Sequence, residues 1–315
     1  MASETHSSTL SPDDAFSALG NETRMDILRT LGGADGQLAF SELYDSVDIS
    51  DSGQFSYHLD KLVGHFVRKT DDGYELRHAG RRVIEAVLSG AITENAVLEP
   101  VSTDYPCPFC GTDVEVSYGE ERRLFRCPEC PGVVRGGGTM EPTGDLPTGT
   151  IDVGYLPPAG LEDRSPSELI TTSSTWNVIE RVGMSNGVCP RCAGRVEHSV
   201  QVCEEHSDTG ICDHCNRRHA VSIFSQCQTC LHKKGGMFQR FLLAEPELRS
   251  FWDSRGIDLF APSPEDAHYF VGYDEEVLSV DPFKARFSFT ADGDTLTLTV
   301  NDDLDIVDVV RDWES

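Results

Sequence analysis

The sequence predicts an α+β chain, with a helical N-terminal third followed by cysteine-rich and β-rich modules. Three observations lead there. Residues 11–90 carry apolar positions at helical spacing together with helix caps. After residue 100, five C-x-x-C pairs and one C-x-x-H pair interrupt the chain. Near the C-terminus the apolar residues alternate at a period of two, the mark of half-buried strands.

Taken in order, residues 1–10 are polar and read as a disordered tail. Ser11-Pro12-Asp13-Asp14 opens a first helix, with a serine cap, proline at its first position and acids in the first turn. Asn21 caps a second helix carrying Met25, Leu28 and Leu31, which Gly32-Gly33 ends. A third helix over 41–47 runs into the turn Asp48-Ile49-Ser50. The stretch Ser52 to Leu62 follows, and its Phe55, Leu59 and Leu62 fall at i, i+4 and i+7, on one helix face. Gln54, Ser56, Tyr57, His58 and Lys61 occupy the other. Phe66-Val67-Arg68-Lys69, the turn Asp71-Asp72-Gly73 and Tyr74-Glu75-Leu76 then read as a β-hairpin. A last helix covers 79–88. Helix, turn, helix, hairpin is the order of a winged helix-turn-helix, here expected over residues 11–99. Its outward face suits double-stranded DNA. Gln54 can bond adenine bidentately, Lys61 can reach guanine or phosphate, and Ser52, Ser56, Tyr57, Arg68 and Lys69 lie where phosphates run. His58 is open between the DNA backbone and packing beside Leu62.

The run Asn21-Glu22-Thr23-Arg24-Met25-Asp26-Ile27-Leu28, followed by Ser56-Tyr57-His58-Leu59-Asp60-Lys61-Leu62, resembles the ArsR-type winged-helix transcriptional regulators over roughly residues 11–90. The whole chain is similar, more loosely, to a haloarchaeal group that fuses such a domain to a cysteine-rich region. The resemblance implies a homodimer with parts of the first and last helices in its seam. Some ArsR-type proteins sense metals through cysteines on these helices. Residues 1–100 contain no cysteine, so such sensing is not expected here and the effector stays open.

The chain of 315 residues has a formal charge of −27, from 53 acidic against 26 basic residues, and its lysines are only Lys61, Lys69, Lys233, Lys234 and Lys284. Such a composition suits a salt-rich, halophilic cytoplasm, where high charge keeps a protein in solution and molar salt screens its self-repulsion. It is unusual for a nucleic-acid binder, which normally shows a basic face. DNA contact would rest on a small patch of Lys61, Arg68 and Lys69. The polar N-terminal stretch and the lack of a long apolar run predict a soluble, cytoplasmic protein with no membrane partner.

In that compartment the eleven cysteines point to metal rather than disulfides. Residues 100–160 are read as a zinc ribbon with a short β segment. Cys107/Cys110 and Cys127/Cys130 flank sixteen residues that hold a hairpin, 114–118 against 123–126, and a short strand follows over 151–155. Four thiolates fill a tetrahedral Zn²⁺, so the site should be structural. Residues 161–315 are read as a helix from Ser165 to about Val182, a second Cys/His cluster, a helix over 236–251, and a C-terminal hairpin of 285–290 against a strand from Thr295. The cluster holds Cys189/Cys192, Cys203/His206, Cys212/Cys215 and Cys227/Cys230. Eight ligands suffice for two zincs. Sequential pairing encloses short local loops and is favoured for that reason, although nested or interleaved pairing fits the same count. If His206 does not ligate, one zinc sits here. The total is thus two to three structural zincs per chain. His214 and His219 read as solvated, and His232 as a spare donor. Arg122, Arg123, Arg126 and Arg135 form a local basic set that keeps DNA contact by the ribbon open, against the scaffold or protein-contact role that acidic ribbons favour.

No phosphate-binding glycine loop, G-x-S-x-G elbow or H-E-x-x-H motif appears, and no enzyme is expected. The expected function is a dimeric DNA-binding transcriptional regulator with zinc modules for regulation or assembly. The alternative is a general component of the transcription machinery, since a winged helix followed by a zinc ribbon also resembles archaeal initiation factors. A zinc-dependent or redox enzyme ranks third.

Overall fold

The computed structural model describes residues 10–134, 146–207, 210–230 and 232–313. The tail expected over residues 1–10 falls almost wholly outside them, as does Arg135. The chain forms two compact units, Met1–Glu94 and Asn95–Ser315. The boundary precedes residue 99 because Leu98 already opens a strand of the second unit.

The first unit runs α1 (Pro12–Leu19), α2 (Glu22–Gly33), α3 (Phe40–Asp45), α4 (Ser52–Leu62), β1 (Val67–Lys69), β2 (Tyr74–Leu76) and α5 (His78–Leu88). The caps act where the sequence puts them. Ser11 Oγ accepts from the Asp14 amide, and Asn21 Oδ1 from the Arg24 amide. Asp51 accepts from the amides of Gly53 and Gln54 and so fixes where α4 begins. One core holds Ile27, Leu28 and Leu31 of α2, Leu43 of α3, Phe55, Leu59 and Leu62 of α4, and Ile84 of α5. Val67, also in that core, pairs with Leu76 across the β1–β2 hairpin. Leu38 adds a two-way backbone pairing to Tyr74, so the segment before α3 is laced to the hairpin. Gly80 lets α5 close on β1: a Cβ there would fall 2.3 Å from the carbonyl oxygen of Phe66.

The second unit has three antiparallel sheets. β3 (Leu98–Pro106), β4 (Asp113–Gly119), β5 (Arg122–Arg126) and β6 (Thr150–Tyr155) pair in chain order. Helix α6 (Pro166–Ser185) follows, started by a reciprocal capping box between Ser165 and Glu168. Next come β7 (Val196–Val202), β8 (Val221–Cys227) and β9 (Lys233–Met237), then α7 (Gln239–Leu242) and α8 (Pro246–Asp253). A last meander pairs β10 (Asp274–Ser279), β11 (Lys284–Ala291), β12 (Asp294–Val300) and β13 (Ile306–Asp312). Buried side chains from Tyr105 to Val300 share one core, so segments on both sides of residue 160 pack together. At its centre Phe238 stacks on Phe287, with ring centroids 4.4 Å apart, and Trp252 meets Phe289 edge-on.

The helix expected over 236–251 is not there. Residues 233–237 instead complete a sheet beside β8, and the rest breaks into α7 and α8, with Pro246 starting α8. The two glycines of β9 are buried in the sheet, where a side chain would have to be housed. No helix among the described residues is long and apolar enough to cross a membrane.

Candidate metal centres and the exposed face of α4

Three clusters of thiol and imidazole donors form in the second unit. Within each, all four ligand atoms lie within 4.8 Å of one another. The first joins Cys107, Cys110, Cys127 and Cys130, the set its spacing suggests. One knuckle lies between β3 and β4, and the other follows β5. Cys107 and Cys130 place their Sγ atoms 3.5 Å apart, as do Cys110 and Cys127.

The second and third clusters correct the favoured pairing. Cys189, Cys192, Cys227 and Cys230 form one group, and Cys203, His206, Cys212 and Cys215 the other, so the arrangement is nested. Strand pairing is the cause. β7 and β8 pair with each other along their whole length, Val196 opposite Cys227 and Val202 opposite Val221. Pairs one and four therefore meet at the base of this hairpin, and pairs two and three at its tip. In the base group, Cys189 and Cys230, and Cys192 and Cys227, are 3.5 Å apart at sulfur.

At the tip, His206 Nδ1 lies 3.5 Å from Cys215 Sγ, while Nε2 lies 3.1 Å from the carbonyl oxygen of Arg218. If Nε2–H donates to that carbonyl, Nδ1 is left with its lone pair toward the thiols. A backbone acceptor on the far nitrogen is the usual way a ligating histidine is oriented. His232 joins no group. His214 is exposed beside Glu205 as expected, but His219 is not solvated. It is buried, stacked on Tyr273 with centroids 4.1 Å apart, because β10 covers the start of β8.

Three knuckles share one backbone frame. In the turns at Cys107, Cys189 and Cys212, the cysteine amide donates to the carbonyl five residues on, at 2.7–3.0 Å. Its own carbonyl accepts from the amide four residues on, at 2.8–2.9 Å. The fourth residue on is left-handed in each: Gly111 at φ 78°, Ala193 at 57° and Asn216 at 55°. The Cys227 amide makes the matching bond to His232. This frame turns amides toward sulfur. The Thr112 amide draws the Cys110 thiol down to about 6, the Cys215 amide does the same for Cys212, and the Cys230 amide for Cys227. Burial pushes Cys107 up, and Cys203 up to about 11. One thiol of each cluster is thus poised to ionise while others resist until a cation joins them.

The donor chemistry fits a metal. All eleven cysteines are free, and sulfurs 3.5 Å apart are far outside the S–S bond length of about 2.05 Å. A tetrahedral ion with metal–sulfur bonds of about 2.3 Å needs neighbouring sulfurs roughly 3.8 Å apart. Four ligands leave no open coordination position.

Residues 104–306, more than half of the chain, match the family described as Domain of unknown function (DUF7351). The chain belongs to the DUF7351 family. All twelve candidate metal-donor residues of the three clusters lie within the matched segment of this DUF7351 chain. Residues 12–87 match a second family, described as Domain of unknown function (DUF7347), from the first residue of α1 to Val87 in the last turn of α5. No curated protein and no solved structure matches the chain.

Outside the DUF7351 segment, α4 buries Phe55, Leu59 and Leu62 and exposes Ser52, Gln54, Tyr57 and Lys61. Lys61 Nζ lies 5.4 Å from the Tyr57 ring centroid. Ser56 and His58 are half-buried, and His58 Nδ1 is 3.5 Å from an Arg24 guanidinium nitrogen, on the side facing α2. On the hairpin, Arg68 pairs with its cross-strand neighbour Glu75 at 2.6 Å, and Lys69 lies over the Tyr74 ring.

The basic set of the ribbon is spent on local partners. Arg123 is buried against Asp152 at 2.5 Å, Arg126 pairs with Glu115, and Arg122 with Glu120. Sequence reasoning also missed Arg218. Its guanidinium lies 3.9 Å from the centroid of the Phe109 ring, beside the first cluster, while its carbonyl faces His206 of the third.

Proposed function

We propose that this chain is a DNA-binding transcriptional regulator, active as a homodimer, whose winged helix-turn-helix reads double-stranded DNA and whose second unit is scaffolded by three structural zinc ions. The observation that carries the reading is the face of α4. A helix anchored by Phe55, Leu59 and Leu62 presents Gln54, Tyr57 and Lys61 outward, after a short helix and turn and before a two-stranded hairpin. Gln54 serves as the base-reading residue, and Lys61 and Lys69 as phosphate contacts. His58, turned toward Arg24, positions α4 on α2 rather than touching DNA. The dimer seam draws on Phe16 of α1 and Leu88 of α5, large apolar side chains that are 75% and 65% exposed.

Zinc is the metal that fits best. Sets of four thiolates, or three thiolates and an imidazole, suit a soft tetrahedral ion, and the filled coordination makes each centre structural rather than catalytic. The chain's residues hold the ion, and the knuckle amides stabilise thiolate charge.

Occupancy across the genome, measured by immunoprecipitation at native salt, tests the regulator. A few sharp sites, each footprinting as two half-sites about one helical turn apart, are expected. Coverage of most promoters would instead favour a general transcription component and sink this reading. Elemental analysis of the purified chain tests the scaffold, with three zincs per chain expected.

A further inference from the structure

The second unit holds a cavity of about 120 Å³ between the β3–β6 sheet, α6 and α7. Most of its wall is apolar, with Val114, Phe125, Val178 and Leu243 among the lining side chains. An apolar cavity of about 150 Å³ takes up a benzene ring, so this one is of the size for a single small ring or a short branched chain.

The polar groups of the wall decide what such a molecule must carry. The charged ones already have protein partners. Asp152 pairs with Arg240, and with Arg123 at 2.5 Å. Arg181 donates to the Gly235 carbonyl at 3.2 Å. An ion entering here would give up its hydration against apolar walls and charges already engaged, so the cavity suits a neutral molecule. Among the neutral groups, the Tyr105 hydroxyl donates to the Pro262 carbonyl at 2.9 Å, and Asn177 Oδ1 accepts from Lys234 at 3.2 Å. Gln239 also lines the cavity and is 1% exposed. Its Nε2 donates to the Tyr269 carbonyl at 2.6 Å, which fixes the orientation of the amide, because the reverse would set two oxygens against each other. Its Oε1 is buried with no hydrogen-bond partner. A buried acceptor left unpaired has lost its hydration without replacement, and a donor on a ligand restores the missing bond.

We propose that this cavity is a binding site for a small neutral alcohol or phenol: an apolar body about the size of a benzene ring, and one hydroxyl donating to Gln239 Oε1. The site lies wholly within the second unit and does not rest on the DNA-binding reading.

Isothermal titration of the full chain with phenol, cyclohexanol and 3-methylbutanol, in molar KCl, tests it. At least one is expected to bind saturably. Toluene, which matches phenol in size but has no donor, should bind about tenfold more weakly than phenol, the worth of one hydrogen bond to a buried acceptor. Benzoate, which carries a charge, should bind more weakly still. Ser174 lines the cavity, so Ser174→Leu fills it without removing a charge and should abolish binding. Gln239→Leu should bring phenol and toluene to equal affinity. The comparison of phenol with toluene and benzoate on the parent chain needs no variant, so it stands even if a substitution prevents folding. Saturable binding by none of the three, as a cavity filled by water alone would give, overturns the proposal. So would toluene or benzoate binding as tightly as phenol, or selectivity for phenol unchanged in Gln239→Leu.

Discussion

His206 and Arg218 tie the third candidate metal cluster to the first. His206 Nε2 lies 3.1 Å from the Arg218 carbonyl oxygen. The guanidinium of the same Arg218 donates twice to the Gly132 carbonyl at 3.1 Å and covers the Phe109 ring. Gly132 and Phe109 belong to the two knuckles of the first cluster. The backbone repeats the link, since the Arg218 amide donates to Val133 and Arg217 bridges Val134. The tip of the β7–β8 hairpin is thus seated on the first ribbon by one residue whose carbonyl also faces His206, a candidate ligand of the tip.

Arg218→Ala keeps the backbone bonds and removes the guanidinium. The Gly132 carbonyl then loses two donors, and the Phe109 ring its cation. A loss of about 1–3 kcal/mol in unfolding free energy is expected, read from denaturant titration with the slope unchanged. The metal count should stay at three, because no ligand atom is touched; a fall to two would mean that the guanidinium itself maintains a centre.

The clusters differ in what depends on them. Cys227 ends β8 opposite Val196 at the base of the hairpin, and it is fully buried. Removing a structural zinc forfeits on the order of 10 kcal/mol, comparable to the whole stability of a domain. Cys227→Ser is therefore expected to lose cooperative unfolding of the second unit. His206→Ala affects only the tip. The expected outcome is two zincs per chain by elemental analysis, with the far-ultraviolet circular dichroism spectrum retained. Equal damage from both substitutions would show that base and tip are one energetic unit.

On α4, Lys61→Ala should weaken binding evenly across DNA sequences and lower the slope of log affinity against log salt by about one. Gln54→Ala should cost about 1–3 kcal/mol at one base pair and relax preference there. The hairpin offers a sharper test. Arg68 is neutralised by Glu75, so Glu75→Gln is expected to raise affinity severalfold in gel-shift titrations; an unchanged affinity would remove the hairpin from the interface.

The first unit was almost wholly legible because its signals are local. Ser11 and Asn21 each cap the helix beside them, and Phe55, Leu59 and Leu62 declare their face within eleven residues; the Asp51 cap of α4 was not read. The first cluster was legible for the same reason, its ligands flanking one hairpin. The second and third were not, since ligand count is indifferent to pairing and the choice was made by β7 and β8 lying along each other. β10 and β13 were hidden because neither has a buried apolar face: Leu278, Val307 and Val310 are exposed, and Val277, Ile306 and Val309 only half-buried. The glycines of β9 carried no pattern at all. The buried ion pairs of the second unit join Arg123 and Arg240 to Asp152 across long stretches of chain. No sequence spacing encodes such a meeting, and a run of arginines on β5 looked like a basic surface until Asp152 was placed beside it.

Glu275 gives a pH dependence with a definite sign. Its carboxylate accepts from the Ala220 and Val221 amides, and its side chain is 11% exposed. Burial outweighs those bonds and raises it to about 7 from an ordinary 4.5. Between these values the folded chain holds a proton that the unfolded chain has released. The contribution of Glu275 to stability is therefore present below pH 4.5 and is lost as pH rises toward 7. His219, 4.0 Å away and pushed down to about 4 by burial, works in the opposite direction over pH 4–6.5. The two contributions oppose each other over pH 4.5–6.5, so the difference between variant and parent is the quantity to measure. Glu275→Gln has no proton to lose and should gain on the parent steadily from pH 5 to pH 8, in denaturant midpoints taken at constant ionic strength. A difference that stays flat across that range would place the Glu275 carboxylate at an ordinary value, ionised in both states.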